Sequence, residues 1–230
     1  MISSIGRQAG RTKGCPTNNN TGGSMSFAGT TSSYLTVPNS ADFRFGTGDF
    51  TIEWYMNNSG SQSWPRIFSM GSLSNSNSTI AVSIESGTFY FWIGGGWRFS
   101  ASVSVTGVWT HFAITRSAGS YRVFRNGIQL GSTFTYLYDF NDTVSPLTIG
   151  NEGSRTANAS YQGLLTNFHI VKGTALYTSK FCVPQTPRPA VAGSVLLLNA
   201  VTSGAVTNDT SGTGKTVTNN SVTFSSSLPT

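Results

Sequence analysis

Charged residues are scarce in this chain of 230 residues. They make up 10% of the sequence, whereas about 25% is usual for a soluble globular protein. Glycine, serine, threonine and asparagine occupy the positions that charges fill elsewhere. With eight acidic residues and two histidines, the chain offers few groups for acid–base or metal chemistry. This composition favours a β-rich structural or binding protein over an enzyme.

Long apolar runs are absent as well. No stretch approaches the roughly 20 apolar residues that a transmembrane helix requires, so the sequence predicts no membrane partner. The opening residues, MISSIGRQAGRTKG, lack the apolar centre of a secretory signal. We therefore expect a protein that is made and assembled inside a cell without the usual export route.

Cysteine is nearly absent, and its two copies are Cys15 and Cys182. A single long-range bridge between them is one alternative. Two thiols so far apart in a sequence are more often free, so free thiols are the expectation. A chain of this length buries most of its apolar surface on folding and does not need a disulfide or a metal to be stable.

The formal net charge is +6, but its distribution argues against sequence-specific nucleic-acid binding. Arg7, Arg11 and Lys13 lie in a leader without acidic residues, and the other basic residues are scattered. Residues 1–23 are rich in Gly, Asn and Thr and have no apolar periodicity. We expect them to form an extended basic arm that docks on a partner protein.

From residue 24 onward, short runs of alternating apolar residues follow one another between glycine- and asparagine-rich turns. Ser86–Gly87 and Asn126–Gly127 predict tight hairpin turns. The runs predict one all-β domain over residues 24–230, a two-sheet antiparallel jelly-roll sandwich preceded by the extended N-terminal arm. The predicted strands are Met25–Phe27, Tyr34–Val37, Phe50–Trp54, Arg66–Met70, Thr79–Glu85, Thr88–Ile93, Trp97–Val105, Trp109–Arg116, Tyr121–Arg125, Ile128–Leu130, Leu147–Gly150, Gly163–Val171, Val195–Asn199 and Val217–Phe224.

The chain resembles the concanavalin A-like, laminin-G-type domains that occur in phage and large-virus structural proteins. The clearest segment is FHIVKGTALYTSKFCVPQTPR at 168–188, which is similar to the closing motif of that family. DFTIEW at 49–54 resembles its opening, and GVWTHFAITRSAGSYRVFRNGIQLG at 107–131 its central element. The resemblance runs from about Ser24 to Pro229 and departs from the family at Thr166–Asn167, where acidic residues are frequent.

The resemblance implies a non-catalytic component of a virus particle, such as a minor capsid, cement or tail-associated protein. Its partners would be other virion proteins, held through the arm in an oligomeric assembly. The implied location is the virion, assembled in the cytoplasm of the host cell. The alternative is a glycan-binding, lectin-like adhesion domain that attaches to a host surface.

The glycan-binding alternative suggests candidate binding residues. Sugar sites need aromatic faces beside hydrogen-bonding groups, and the candidates are Trp97, Arg98, Trp64 and Tyr161, each in or next to a predicted loop. Asp139 and Asp142 in one loop are the candidates for Ca²⁺. Two carboxylates are too few for such an ion without help from the backbone, so no cofactor is expected.

Enzyme signatures are missing from the sequence. Glycanases of this fold carry paired carboxylates on one strand, spaced Glu-x-Asp-x-x-Glu, and Glu53 and Glu85 both lack such a neighbour. We expect His111 to be a packed or hydrogen-bonded strand residue rather than a catalytic base. No Ser/His/Asp pattern, Cys/His metal spacing or phosphate loop is present. No enzymatic activity is expected.

The closing segment 168–188 is expected to serve the architecture. Gly173 permits backbone angles that other residues avoid where the strand leaves the sheet. Leu176, Tyr177 and Phe181 would then fold over one edge of the sandwich, and the prolines would keep the chain extended. We expect this segment to seal that edge.

Overall fold

The computed structural model describes residue 15 and residues 20–70, 80–153 and 157–229. Within them the chain forms two antiparallel β-sheets packed face to face, which confirms the predicted all-β sandwich. The helices of this part of the chain are 3₁₀ turns of three residues, too short to cross a membrane. Arg7, Arg11 and Lys13 lie outside the described residues, so the arm and its boundary near residue 23 stay predictions.

The strands are, in chain order, β1 (Ser24–Ala28), β2 (Tyr34–Val37), β3 (Phe50–Asn58), β4 (Arg66–Met70), β5 (Ile80–Glu85), β6 (Thr88–Ile93), β7 (Gly96–Ser102), β8 (Thr110–Ser117), β9 (Ser120–Arg125), β10 (Ile128–Thr135), β11 (Leu147–Ile149), β12 (Gln162–Lys172), β13 (Ser194–Leu198), β14 (Thr218–Asn220) and β15 (Thr223–Ser225). The first sheet has the order β10-β9-β8-β3-β12-β1-β15, and β13 pairs with the second half of β12. The second sheet has the order β14-β2-β11-β4-β5-β6-β7.

The core lies between the sheets and follows from side-chain alternation. In β6, Phe89 and Phe91 are fully buried, whereas Tyr90 and Trp92 point away from the core and stay half-buried. Trp54 of β3 lies at the centre of the core, with its ring 5.8 Å from the Phe112 ring. Each strand of the second sheet therefore presents its other set of side chains on an outer face.

Both predicted hairpin turns are present. Ser86 and Gly87 both have positive φ, as do Asn126 and Gly127, which is the backbone of a type I′ turn. Gly127 has a second reason to be glycine. A Cβ at this position would lie 2.1 Å from the carbonyl oxygen of Phe181, because another segment of the chain crosses the turn there.

That segment, residues 173–189, is called the strap. Gly173 has a φ of +84°, as its predicted role requires, and the chain then crosses the outer face of the first sheet. Thr115 on β8 donates to the Tyr177 carbonyl at 2.8 Å, and the Phe181 amide donates to the Gly127 carbonyl at 3.0 Å. The prediction that the segment seals an edge of the sandwich was wrong. The strap instead covers the outer face of the first sheet, where it contacts the interior strands β3 and β8.

One predicted strand, Val217–Phe224, was also wrong. Ser221 has a φ of +56° and divides the segment into β14, which joins the second sheet, and β15, which joins the first. Asn219 stabilises the bend, since its side chain both donates to and accepts from the backbone of Val222 at 2.8–2.9 Å. The chain changes sheets at this point.

The expectation of free thiols was wrong as well, because Cys15 and Cys182 form a disulfide with Cα atoms 5.4 Å apart. Antiparallel pairing of β1 with β12 sends the residues before β1 toward Asn167, where the strap returns to the sheet. Thr21 donates to the Thr186 carbonyl at 2.8 Å on the way. Sequence separation therefore hid a spatial proximity that the strand pairing creates.

Reducing this disulfide is expected to destabilise the fold. The bond joins residues 167 positions apart, and opening a loop of that length restores about 5 kcal/mol of chain entropy to the unfolded state in the loop-closure estimate. Urea unfolding with and without a reductant should show a lower midpoint in the reduced wild type. A C15S/C182S variant should have that lower midpoint under both conditions. An unchanged wild-type midpoint would count against a stabilising bond.

Candidate functional site

Four aromatic side chains gather on the outer face of the second sheet. They are Trp64 in the loop before β4, Tyr90 and Trp92 on β6, and Trp97 on β7, and we call them the aromatic platform. The Trp64 and Trp97 rings stack with centroids 5.5 Å apart and planes 19° apart. Tyr90 lies 5.3 Å from both, and Trp92 lies 5.1 Å from Trp97 at 83°. All four are half-buried, so part of each ring reaches the surface.

A β-bulge directs Trp97 to this face. Phe99 pairs with Phe91 and points into the core, and in a regular strand Trp97 would point the same way. The register shifts between these positions, so Trp97 instead pairs with Trp92 and Arg98 is the additional residue. Bulges commonly turn one side chain toward a functional surface.

Arg66 supports the platform from β4. Its guanidinium carbon lies 6.0 Å from the Trp64 ring centroid and 5.5 Å from that of Trp97, within the range of cation–π attraction. Its Nη1 donates to the Trp64 carbonyl at 2.9 Å and to Ser83 Oγ at 3.2 Å. Its Nε pairs with Glu152 Oε2 at 3.3 Å. Arg66 thus holds the two indoles in place through both its charge and its hydrogen bonds.

The predicted candidates divide between this site and other places. Trp64 and Trp97 come together in the platform. Arg98 lies over the Tyr136 ring at 4.3 Å and donates to the Tyr136 hydroxyl at 2.9 Å, which joins β7 to the segment after β10. Tyr161 is fully buried in the core and its hydroxyl contacts the carbonyls of Asn57 and Leu164 at 3.2 Å, so its ring is not exposed to a ligand.

Sequence reasoning missed Tyr90 and Trp92. The run TFYFWI places aromatic side chains on both faces of one strand, and only one face can point into the core. That alternation was the signal that Tyr90 and Trp92 lie outside.

The two predicted calcium ligands remain separate features of one loop. Asp142 Oδ1 accepts from the amides of Val144 and Ser145 at 2.8 and 3.0 Å, which closes a turn. Asp139 is exposed. Within the described ranges, no three or more His, Cys, Asp or Glu side chains are grouped to hold a metal ion. The calcium prediction therefore gains no further ligand from these residues.

A second polar group lies buried between the first sheet and the strap, and we call it the Glu53 cluster. Glu53 Oε1 contacts His169 Nδ1 at 2.9 Å and Arg188 Nε at 2.8 Å. Glu53 Oε2 contacts His111 Nε2 at 3.2 Å and accepts from the Tyr177 hydroxyl at 2.8 Å. Strands β3, β8 and β12 and the strap each contribute, so the carboxylate is fully surrounded by partners.

The electrostatics of the cluster follow from burial and pairing. Burial alone would raise the pKa of Glu53, but hydrogen bonds from His111 and His169 and the charge of Arg188 outweigh it and hold that pKa far below its usual value. Burial lowers the pKa of His111. Its Nδ1 is buried without a hydrogen-bond partner, so the ring is neutral and carries its proton on Nε2.

The cluster includes a serine–histidine–glutamate arrangement. Ser194 Oγ lies 2.7 Å from His169 Nε2, and His169 Nδ1 faces Glu53, as in a nucleophilic triad. The environment differs from that of a working triad, because Glu53 and His169 are fully buried and Ser194 is 8% exposed. Ser194 Oγ also accepts from the Val191 amide at 2.9 Å, and Arg188 binds the carboxylate. We read the arrangement as structural. Sequence reasoning did not detect it, because Ser194, His169 and Glu53 are far apart in the chain.

Comparisons with known proteins agree with this architecture. The family model described as the concanavalin A-like lectin/glucanases superfamily matches residues 29–176. A comparison with curated proteins by sequence finds no match.

Among solved structures, a Bacteroides ovatus protein proposed to bind carbohydrate is 17% identical with a TM-score of 0.67. The match covers 92% of this chain but 61% of that one, so this chain spans less than two thirds of its length. A heptameric SAP-like pentraxin of Limulus polyphemus is 17% identical, with a TM-score of 0.55 and coverage of 89% and 94%. The CBM40 of the Ruminococcus gnavus IT-sialidase is 12% identical, with a TM-score of 0.50 and coverage of 67% and 92%. At these identities the likeness establishes the fold alone.

Acidification is expected to destabilise the protein through the Glu53 cluster. A folded-state pKa below the usual 6.5 means that His111 binds its proton more readily when unfolded, so stability is lost as the pH falls below about 6.5. Glu53 adds a second loss below its usual pKa of about 4.5. Urea unfolding at neutral pH, between those two values, and below both measures the free energy of unfolding.

The matched control is His111→Gln, whose side-chain amide can still donate to Glu53 but does not titrate. This variant should be less stable at neutral pH and should lose much less stability in the first acidic step. An equal loss in the wild type and the variant would show that His111 is not the titrating group.

Proposed function

This chain belongs to the concanavalin A-like lectin/glucanases superfamily, and from that premise we propose that it is a carbohydrate-binding domain whose site is the aromatic platform. The observation that carries the proposal is the group of four aromatic rings that leave the core and meet on one outer face. Half-buried aromatic clusters of this kind are unusual on a surface unless they contact a ligand or a partner.

The chemistry of the platform suits sugars. A pyranose ring has an apolar C–H face that packs against an indole ring, while its hydroxyl groups stay hydrated or bond to polar neighbours. Trp92 stands at 83° to Trp97, so the two rings form a corner that could contact two sides of one sugar. Arg66 keeps Trp64 and Trp97 stacked without a ligand, which lowers the entropy that binding must remove.

Two further points support glycan binding over the virion role that the sequence resemblance implied. The Bacteroides ovatus structure is named as that of a proposed carbohydrate binding protein. The Cys15–Cys182 disulfide favours oxidising surroundings, where cell-surface and secreted glycans are met. The virion role and its docking arm stay predictions.

We infer a binding role without catalysis. Hydrolysis of a glycosidic bond uses two carboxyl groups on either side of the bond. Glu53 is buried beneath the strap, and Glu152 next to the platform is paired with Arg66. The proposed site offers ring faces and hydrogen-bonding groups, and a glycan would leave it unchanged.

Replacing Trp97 by alanine is expected to weaken glycan binding about tenfold, the effect of losing a stacked aromatic face. Trp64→Ala should act similarly, since its ring is stacked on Trp97. A glycan array would identify a ligand, and isothermal titration calorimetry would give the dissociation constant of each variant.

Trp109→Ala is the matched control, because Trp109 is also half-buried but lies next to β8 of the first sheet and donates to Ser227 Oγ at 3.3 Å. Its affinity should equal that of the wild type. Circular dichroism would establish that each variant is folded. If Trp97→Ala and Trp109→Ala bind as tightly as the wild type, the platform is not the site.

A further inference from the structure

We propose that the platform selects uncharged glycans and discriminates against acidic ones. This inference rests on the proposed function and adds the class of ligand to it. The observation that carries it is the charge balance around Arg66, the guanidinium that the structure places against Trp64 and Trp97.

Arg66 is held by the protein on two sides. Its Nη1 donates to the Trp64 carbonyl and to Ser83 Oγ, and its Nε forms an ion pair with Glu152 at 3.3 Å. The side chain is 11% exposed. A sugar carboxylate that approached the platform would therefore have to displace Glu152 to form a bidentate contact with this guanidinium.

Two carboxylates act on this one cation. Burial lowers the pKa of Arg66, and the nearby charges of Glu152 and Glu85 oppose that effect. These three groups sum to one negative charge at neutral pH. These three groups therefore offer no net positive charge to attract an anion.

Arg98 is the other charged candidate, and within the described residues its cation–π contact is with Tyr136 and not with a ring of the platform. Arg98 is the residue added by the bulge, and its guanidinium lies over Tyr136 and donates to the Gly94 carbonyl at 3.3 Å. The overall charge of +6 belongs to the chain as a whole. Such charge attracts polyanions at low salt without any specific site, and salt screens that attraction.

These contacts imply different binding free energies for uncharged and acidic glycans. An uncharged pyranose buries its apolar face on the indoles and loses little hydration. A carboxylate or sulfate at the same place loses hydration, meets in Arg66 a cation that is already paired with Glu152, and is repelled by Glu85 and Glu152. We expect the uncharged ligand to bind at least about tenfold more tightly.

The test uses ligand pairs in which one member carries carboxylates and the other does not. One pair is homogalacturonan with its carboxyl groups free or fully methyl-esterified, and another is a complex N-glycan with or without its terminal sialic acids. Dissociation constants of the wild type and of Trp97→Ala are measured at physiological salt. The signal that counts is the part of binding that Trp97→Ala removes.

The inference is supported if Trp97-dependent binding appears with the uncharged member of a pair and is at least tenfold weaker with the acidic member. It is overturned, while the proposed function stands, if the acidic member binds equally or more tightly in a Trp97-dependent way. If neither member of any pair shows Trp97-dependent binding, the proposed function and this inference fail together.

A charge variant gives an independent reading. Glu152→Gln removes the carboxylate that pairs with Arg66 but keeps the size of the side chain. It should raise the affinity for the acidic member several-fold relative to that for the uncharged member, a ratio that a shared loss of platform geometry would leave unchanged. Glu85→Gln should move the acidic affinity in the same direction by a smaller factor, because it is the weaker of the two influences on Arg66. No gain for the acidic ligand in either variant would overturn the role assigned to these carboxylates.

Discussion

The buried carboxylate of Glu53 is the constraint around which this fold is organised. It has four partners from three segments besides its own strand, namely His111, His169 and, from the strap, Tyr177 and Arg188. A buried ion pair adds little net stability, but removing one partner typically costs about 3–5 kcal/mol. The ionised Glu53 is therefore tolerable only with the strap in place. The strap is in turn held on the sheet by this charge and by the stack of Tyr177 on Phe181.

The strap makes the two outer faces of the sandwich different. Across the first sheet it covers His111, Phe124 and Glu53, all of them fully buried. The outer face of the second sheet instead carries half-buried tryptophans and a tyrosine. A domain with two equivalent faces could bind ligands on either. Here the Glu53 cluster commits one face to the interior and leaves the aromatic platform as the face available to a ligand.

The features that could be predicted from the sequence are those that depend on residues adjacent in the chain. The hairpins at Ser86–Gly87 and Asn126–Gly127 depend on adjacent residues that accept positive φ, and the alternation in β6 is visible in its six-residue sequence.

The errors all concern contacts between distant segments. The disulfide, the path of the strap and the change of sheet at Ser221 depend on which strands become neighbours in space. Trp64 and Trp97 were found as aromatic residues near loops, but their stacking depends on a bulge at Arg98 that no local signal marks. Tyr161 follows a polar loop and yet lies in the core, because the chain re-enters the sheet one residue later.

The disulfide also sets the route by which mechanical tension would enter the domain. Cys15 precedes β1, so a pull on the residues before it reaches Cys182 through a covalent bond before it loads the hydrogen bonds of β1. From Cys182 the tension passes along the strap toward Arg188 and the buried carboxylate it grips. Tension on that side therefore acts on the contacts between the strap and the sheet as well as on the hydrogen bonds of β1. The aromatic platform, on the opposite layer of the sandwich, lies off this load path.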